Sequence, residues 1–338
     1  MQYSDNTGTR PAESSVGTGG HSPIVLIPVY NDWNSLRLLL RQLDSELTGH
    51  GASADVLVVN DGSTSVPTTW LDFVPHAIGR IEILTLWRNL GHQRALSIGL
   101  CHLATLDLER TVVVMDGDGE DRASDVLPLV HASTEHGHIA FAKRMRRSEG
   151  MVFSLFYYQF RIVHRLLVGF PVEVGNFSAI PFPILKRLVV VSELWNHYAA
   201  AVVRARLPRV LVPTARGTRL AGRSHMDFLA LVSHGLSAMS VFADRIGVRL
   251  LAATGFLMLL LLAGIGATVG VKFFTSLAIP GWATVATGVL FILLSQAALL
   301  SLVFVFMIQF ARASMTRLPI RDFDAYVESL TCVYSRDG

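Results

Sequence analysis

Two long stretches of this chain carry no charge, and nothing else in the sequence restricts its fold so sharply. From Leu250 to Val271 the sequence LLAATGFLMLLLLAGIGATVGV runs for 22 residues. As a helix rising about 1.5 Å per residue it spans roughly 33 Å, the depth of a bilayer core. A second run, from Ala283 to Ala311, holds only Gln296 and Gln309 as strongly polar members and is long enough to span with tilt. Buried helices of a soluble core rarely stay uncharged over such lengths, so an integral membrane protein with two spans, residues 250–311, is expected. The link KFFTSLAIPGW carries one Lys, whereas Arg245 and Arg249 precede the first span and Arg312, Arg317 and Arg321 follow the second. That bias places the preceding domain, both termini and a 312–338 tail on the cytoplasmic side. Gly266 and Gly270 make a GxxxG step, and Ser295, Gln296 and Ser301 offer interhelical hydrogen bonds. Packing within the hairpin explains these residues equally well, so a homo-oligomer stays open.

The 338 residues leave room for one large α/β domain ahead of the spans. Residues 1–22 are rich in Ser, Gly and Thr and lack an apolar run, and they read as a disordered lead-in. Cys101 and Cys332 form neither a metal-ligand spacing nor a disulfide framework. Of the 29 basic residues only Lys143, Lys186 and Lys272 are Lys, which leaves 29 − 3 = 26 Arg. Biased base composition explains most of them, so only Arg inside motifs is weighed, and no nucleic-acid partner is expected.

Between Pro23 and Lys143 short apolar runs alternate with helical patterns: IVLIPV, a helix near 33–47, ADVLVVN, IEILTL, a helix near 93–105, TVVVM, a helix over 123–136, and HIAFAK. The alternation predicts a βαβ series with a mostly parallel sheet, in which ligands sit beyond the carboxyl ends of the strands. Three of those ends are polar: PVYND (Pro28 to Asp32), NDGST (Asn60 to Thr64) and MDGDGED (Met115 to Asp121). No GxGxxG follows the first strand, which argues against a dinucleotide-binding dehydrogenase.

Asp116, Asp118 and Glu120 alternate directly after a strand, so if extended geometry persists they share one side of the chain. Carboxylates gathered in that way suit Mg²⁺ or Mn²⁺, which would neutralise a departing diphosphate. An isolated acidic turn is more often merely solvated. Here Asp61 arrives from one neighbouring strand end and Tyr30 with Asp32 from another, supplying the makings of a base and ribose pocket.

At these residues the chain resembles the inverting glycosyltransferases of the GT-A fold, and among them the polyprenyl-phosphate sugar transferases typified by dolichol-phosphate mannosyltransferase, over roughly residues 23–330. The resemblance implies a GT-A domain over 23–225. It also implies donor contacts at Pro28, Tyr30, Asp32, Asp61, Asn89 and Asp116, and a metal set of Asp116, Asp118 and Glu120, with Glu in place of the family's Gln. RNLGHQRALSIG (Arg88 to Gly99) is similar to the family's donor-side loop entering a helix. Arg144 matches a phosphate-facing basic residue. RLAGRS (Arg219 to Ser224) is similar to the acceptor element, with His225 where Lys is usual. GNFS (Gly175 to Ser178) stands where relatives often have an Asp-Phe-Arg-like sequence. None of the five Trp sits in the QxxRW signature of processive synthases, which implies single transfer.

The stretches 151–170 and 226–247 are apolar but interrupted by charge, and the second, continued to residue 249, is taken as a juxtamembrane amphipathic helix. Core helices of the α/β domain would read almost the same. The implied partners are a nucleotide-sugar donor, a polyprenyl-phosphate acceptor and the membrane. Because a phosphate monoester is largely dianionic at neutral pH, its oxygen needs no deprotonating side chain. Asp118, Arg144 and Arg219 are then the catalytic set, and Arg144, Arg219, Ser224 and His225 the acceptor-phosphate set. A lipid hydroxyl acceptor and an inactive membrane scaffold remain as alternatives.

Overall fold

The computed structural model describes residues 22–67, 70–106, 108–144, 162, 164–169, 174–221, 235–275, 281–313 and 317–336. Strand β1 (Ile24–Val29) pairs in parallel with β2 (Ala54–Asn60) and with β4 (Val112–Val114). Strand β3 (Ile78–Leu86) extends the sheet beyond β2. On the other side β6 (Ser178–Ile180) runs antiparallel between β4 and β5 (Ile139–Arg144), and β7 (Arg209–Thr214) closes that edge. With β8 (Val327–Ser335) on the far edge, the strand order is β7-β5-β6-β4-β1-β2-β3-β8. The sheet is the α/β arrangement of the GT-A fold.

The central strands β1, β2 and β4 are buried on both faces, which is why they read as unbroken apolar runs. Val25, Ile27 and Val29 of β1 pack with Leu36, Leu39, Leu40, Leu43 and Leu47 of α1 (Trp33–Gly49), whose spacing sets one apolar stripe. Ile24 and Leu26 face the other side, against α2 (His92–Thr105), α4 (Phe182–Leu188) and α5 (Tyr198–Arg204). Helix α3 (Val126–His136) joins α1 on the first face. β1 and β4 run parallel, but successive strands are added outward on opposite sides of them, so the loops leaving these two strands open a crevice at their carboxyl ends.

Two helices of 32 residues each follow, α6 (Ala243–Phe274) and α7 (Trp282–Ala313), long and apolar enough to cross a membrane. Their most apolar windows are only 6% buried, unlike core helices of a soluble protein. They pack as a hairpin: Ser301 donates to Thr254 Oγ1 at 2.8 Å, and Gly247 lies against Ile308. A Cβ at Gly266 or Gly270 would meet nothing within 4 Å, so hairpin packing does not explain that GxxxG step. Residues 243–249 belong to α6 itself, not to a separate juxtamembrane helix; 226–234 lie outside the described residues. The described part of the earlier amphipathic stretch brings Val168 against Ala200, Met239 and Phe242.

The segment after α7 departs from the expected tail. β8 (Val327–Ser335) pairs antiparallel with β3, matching Leu86 to Val327 and Arg80 to Ser335. Its exposed, mixed sequence VESLTCVYS carries little alternation, which hid it from the sequence pattern.

Candidate active site

The crevice is laced together before any ligand enters. Asn31, in the left-handed region at φ 56°, turns the chain out of β1. Its side-chain oxygen accepts from Thr64 N at 2.9 Å and Thr64 Oγ1 at 3.2 Å, while its own N–H donates to Ser63 Oγ at 3.0 Å. Gly62, at φ 63°, lets this loop press on the next one, because a Cβ there would lie 2.4 Å from the carbonyl carbon of Arg88. Asp61 is buried, and its two oxygens accept from Leu90 N at 2.7 Å and Gly91 N at 2.9 Å. Burial pushes the Asp61 pKa up, against the pull of those two N–H groups, His92 and Arg88. In this structure Asp61 therefore shapes the 88–91 loop. Pro28 is buried within β1, whereas Tyr30 and Asn89 are exposed at the rim.

The three carboxylates of the acidic loop do not converge as the alternation predicts. The strand ends at Val114, the chain turns, Glu120 N donates to Asp118 Oδ1 at 2.9 Å, and Gly119 takes φ 86°. Extended geometry is lost within four residues, so alternation no longer implies a shared face. Among the described residues no three His, Cys, Asp or Glu side chains are placed to hold a metal ion. Asp116 Oδ1 lies 3.3 Å from His92 Nε2, and Asp116 N donates to Asp121 at 3.0 Å.

Asp118 and Glu120 are engaged by arginines of a strap over residues 216–221. Arg219 donates through Nη2 to Asp32 Oδ2 at 2.5 Å and through Nη1 to Asp118 Oδ2 at 3.2 Å, joining the loops after β1 and β4. Arg216 grips Glu120 by donating from Nε to Oε2 at 3.1 Å and from Nη2 to Oε1 at 2.8 Å, a planar two-pronged contact that a lysine would not make. Backbone bonds from Gly217 N to Glu120 O and from Leu220 N to Asp118 O, at 2.8 and 2.9 Å, dock the strap along the loop. A cavity of about 310 Å³ lies beside it, lined by Asn31, Asp32, Trp33, Asn34, Ser65 and Pro67 together with Arg219 and Ala221.

Arg144 ends β5 in register with Thr214, at the same end of the sheet, and its side chain is outside the described residues, as are Ser224 and His225. The motif reading missed Asn31, Arg216, His92 and Asn176. In RNLGHQ the glycine and helix start are the conspicuous features, not the His and Gln, and Arg216 precedes the acceptor element without a motif of its own.

The family model described as Glycosyl transferase family 2 matches residues 24–189, the segment that supplies β1 to β6 and the acidic loop. These residues are a glycosyl transferase family 2 domain, and the protein is a glycosyltransferase. An uncharacterized glycosyltransferase, YkcC, of Bacillus subtilis (strain 168) is 23% identical over 277 residues, covering 77% of this chain and 80% of the relative. An undecaprenyl-phosphate 4-deoxy-4-formamido-L-arabinose transferase of Klebsiella pneumoniae (strain 342) is 29% identical over 128 residues, only 38% of either chain. The structure aligns with glucosyl-3-phosphoglycerate synthase from Mycobacterium tuberculosis, solved with Mn²⁺, UDP and glucosyl-3-phosphoglycerate. The TM-score is 0.45 at 13% identity, covering 71% of this chain and 87% of that one.

Proposed function

We propose that this glycosyltransferase moves a sugar from a nucleotide-sugar donor onto a polyprenyl phosphate, once per acceptor, with inversion at the anomeric carbon and with a divalent cation. The observation that carries the reading is the meeting of Asp32 and Asp118 on Arg219, in a chain that also bears two exposed apolar helices. A carboxylate-rich donor crevice and a guanidinium suited to phosphate share one cleft, and the spans supply a lipid setting. The name of the Klebsiella relative supports the same class of acceptor.

Asp116, Asp118 and Glu120 offer the oxygen donors that a hard divalent ion takes, and they would hold one only after Asp118 and Glu120 exchange the guanidinium groups of Arg219 and Arg216 for it. When bound there, such an ion supplies positive charge against the leaving diphosphate. The chain's own residues do the rest. The Asn31, Ser63 and Thr64 lacing fixes the cavity wall, Asp61 holds the 88–91 loop, and Arg219 with Arg144 offers charge to hold an acceptor phosphate near a like-charged donor. A dianionic acceptor oxygen placed in line needs no base.

Strands β3 and β8 precede and follow the hairpin yet share one ladder, which supports a hairpin that enters and leaves one face of the membrane. The basic flanks support the cytoplasmic face. The test is transfer in detergent from a panel of nucleotide sugars to polyprenyl phosphate, with polyprenol and diacylglycerol in parallel and Asp118→Ala as control. Labelled polyprenyl phosphate made only by intact protein with metal supports the proposal. Labelling of a hydroxyl lipid, or nucleotide binding without transfer, refutes it.

A further inference from the structure

Two polar ties converge on the first two turns of α6, just before its uncharged run begins at Leu250. Arg204, mostly buried at the end of α5, donates through Nη1 and Nη2 to the two oxygens of Asp244, at 2.9 and 3.2 Å. Its Nε donates to Glu193 Oε1 at 2.5 Å, so the guanidinium that joins the catalytic domain to the hairpin is itself held in place. Arg249 donates through Nη1 to the Leu166 carbonyl oxygen at 2.8 Å. Its guanidinium seats over Gly169, at φ 97°, where a Cβ would stand 2.5 Å from Nη2. An apolar cluster of Met239, Phe242, Val168 and Ala200 adds to these ties. Gly247 meanwhile lies against Ile308 of α7, so whatever fixes the start of α6 fixes the hairpin.

The two ties stand at different depths. A helix rises about 1.5 Å per residue, which puts Asp244 about 8 Å outside Arg249 along the axis. The headgroup layer on either side of a bilayer core is about 5–8 Å deep. With Arg249 at the rim of the uncharged run, the ties bracket one such layer, and contacts at two heights resist rocking about either one. We propose that Arg204, Asp244 and Arg249 are positioning residues, which lock the catalytic domain to the hairpin at one height so that the crevice meets a phosphate held at headgroup depth. That this phosphate belongs to a lipid acceptor rests on the function proposed above; the locked joint does not. A polyprenyl chain is anchored by its buried carbons, so its phosphate does not rise to follow a crevice that rocks away. A short, water-soluble prenyl phosphate approaches from any height and needs no such alignment.

The experiment uses full-length protein in vesicles of phosphatidylethanolamine and phosphatidylglycerol. One spin label is placed on Cys332, exposed on β8, and one on Leu299→Cys, exposed on α7, while the buried Cys101 stays unlabelled. Double electron–electron resonance should give one narrow distance in otherwise wild-type protein and a broad one when Asp244→Ala and Arg249→Ala are combined. The same pair should lower kcat/KM for embedded polyprenyl phosphate by about ten- to a hundredfold, the scale on which small misplacements are felt. The donor KM and transfer to a short-chain prenyl phosphate should stay unchanged. Asp244→Glu, which keeps the carboxylate, should stay near wild type in every reading. A broad wild-type distance, or one that stays narrow in the double variant, overturns the joint; the wild-type distance decides even if the variants fail to fold. An equal fall for both acceptors makes these residues supports of the fold and overturns their positioning role. No transfer by wild type to any prenyl phosphate refutes the reaction proposed above, while the distances still judge the joint.

Discussion

Asp61→Asn separates a carboxylate that shapes the site from one that touches the donor. The carboxylate accepts one backbone N–H on each oxygen, from Leu90 and Gly91. Hydrogen bonds to a charged group contribute about 1.5–3 kcal/mol each, and an abandoned buried N–H costs about 1–3 kcal/mol. Asparagine keeps one acceptor and turns its NH₂ on the other N–H, so the gross loss is about 2–4 kcal/mol. Part of this returns, because burial penalises the native charge and holds its pKa above the ordinary carboxylate value of 3.8. A net loss near 2 kcal/mol lowers the apparent melting temperature by about 4–8 °C for a domain of this size. The assay is a thermal melt in detergent at fixed scan rate, beside a donor KM. A variant that melts within about 1 °C of wild type while its donor KM rises would refute the structural role and make Asp61 a donor ligand. The pH dependence has a definite sign. A folded pKa raised above the unfolded one gives stability that is full below the ordinary value and lost as pH rises through the folded value. The advantage of wild type over Asp61→Asn is therefore largest in acid, falls as pH climbs through the raised pKa, and is flat above it.

Gly62→Ala should lower donor affinity by about tenfold or more, since it combines a left-handed φ costing about 1–2 kcal/mol with a Cβ driven onto Arg88 and Asn89; an unchanged donor KM would remove the loop contact from the site. Arg216→Gln should bind Mn²⁺ about three- to tenfold more tightly by electron paramagnetic resonance titration, because the two-pronged guanidinium competes for Glu120. Weaker binding would make Arg216 a support of the loop. A chain ending at Asp322 loses β8 and bares the β3 edge; aggregation or an earlier melt on detergent size exclusion is expected, and a monodisperse truncation with native stability would show β8 to be dispensable.

What the sequence disclosed and what it hid divide along a physical line. Strands β1 to β5 and helices α1 to α3 announce themselves because burial on both faces of a parallel sheet leaves long apolar runs with turn residues between them. β8 is an edge strand with most of its side chains in solvent, so pairing with β3 by backbone bonds leaves almost no mark on its side chains. The strand ends were located from Pro28–Asp32, Asn60–Thr64 and Met115–Asp121, but not the directions of their side chains. Periodicity holds only while the backbone stays regular, and the loop after β4 turns at once.

The same limit explains why arginines, not neighbouring carboxylates, meet Asp118 and Glu120. Like charges brought close in sequence repel, and a loop that has left the sheet relieves that by turning each toward the nearest cation. The strap after β7 supplies two, Arg216 and Arg219, spaced by three residues and docked by backbone bonds at Gly217 and Leu220. Charge balance in this crevice is thus reached by residues about 100 positions away in the chain, joined through the sheet register that sets Thr214 beside Arg144. Local spacing carries no trace of such a pairing. It becomes legible only once β5 and β7 are known to be neighbours, because that adjacency carries the strap across the ends of β4 and β1.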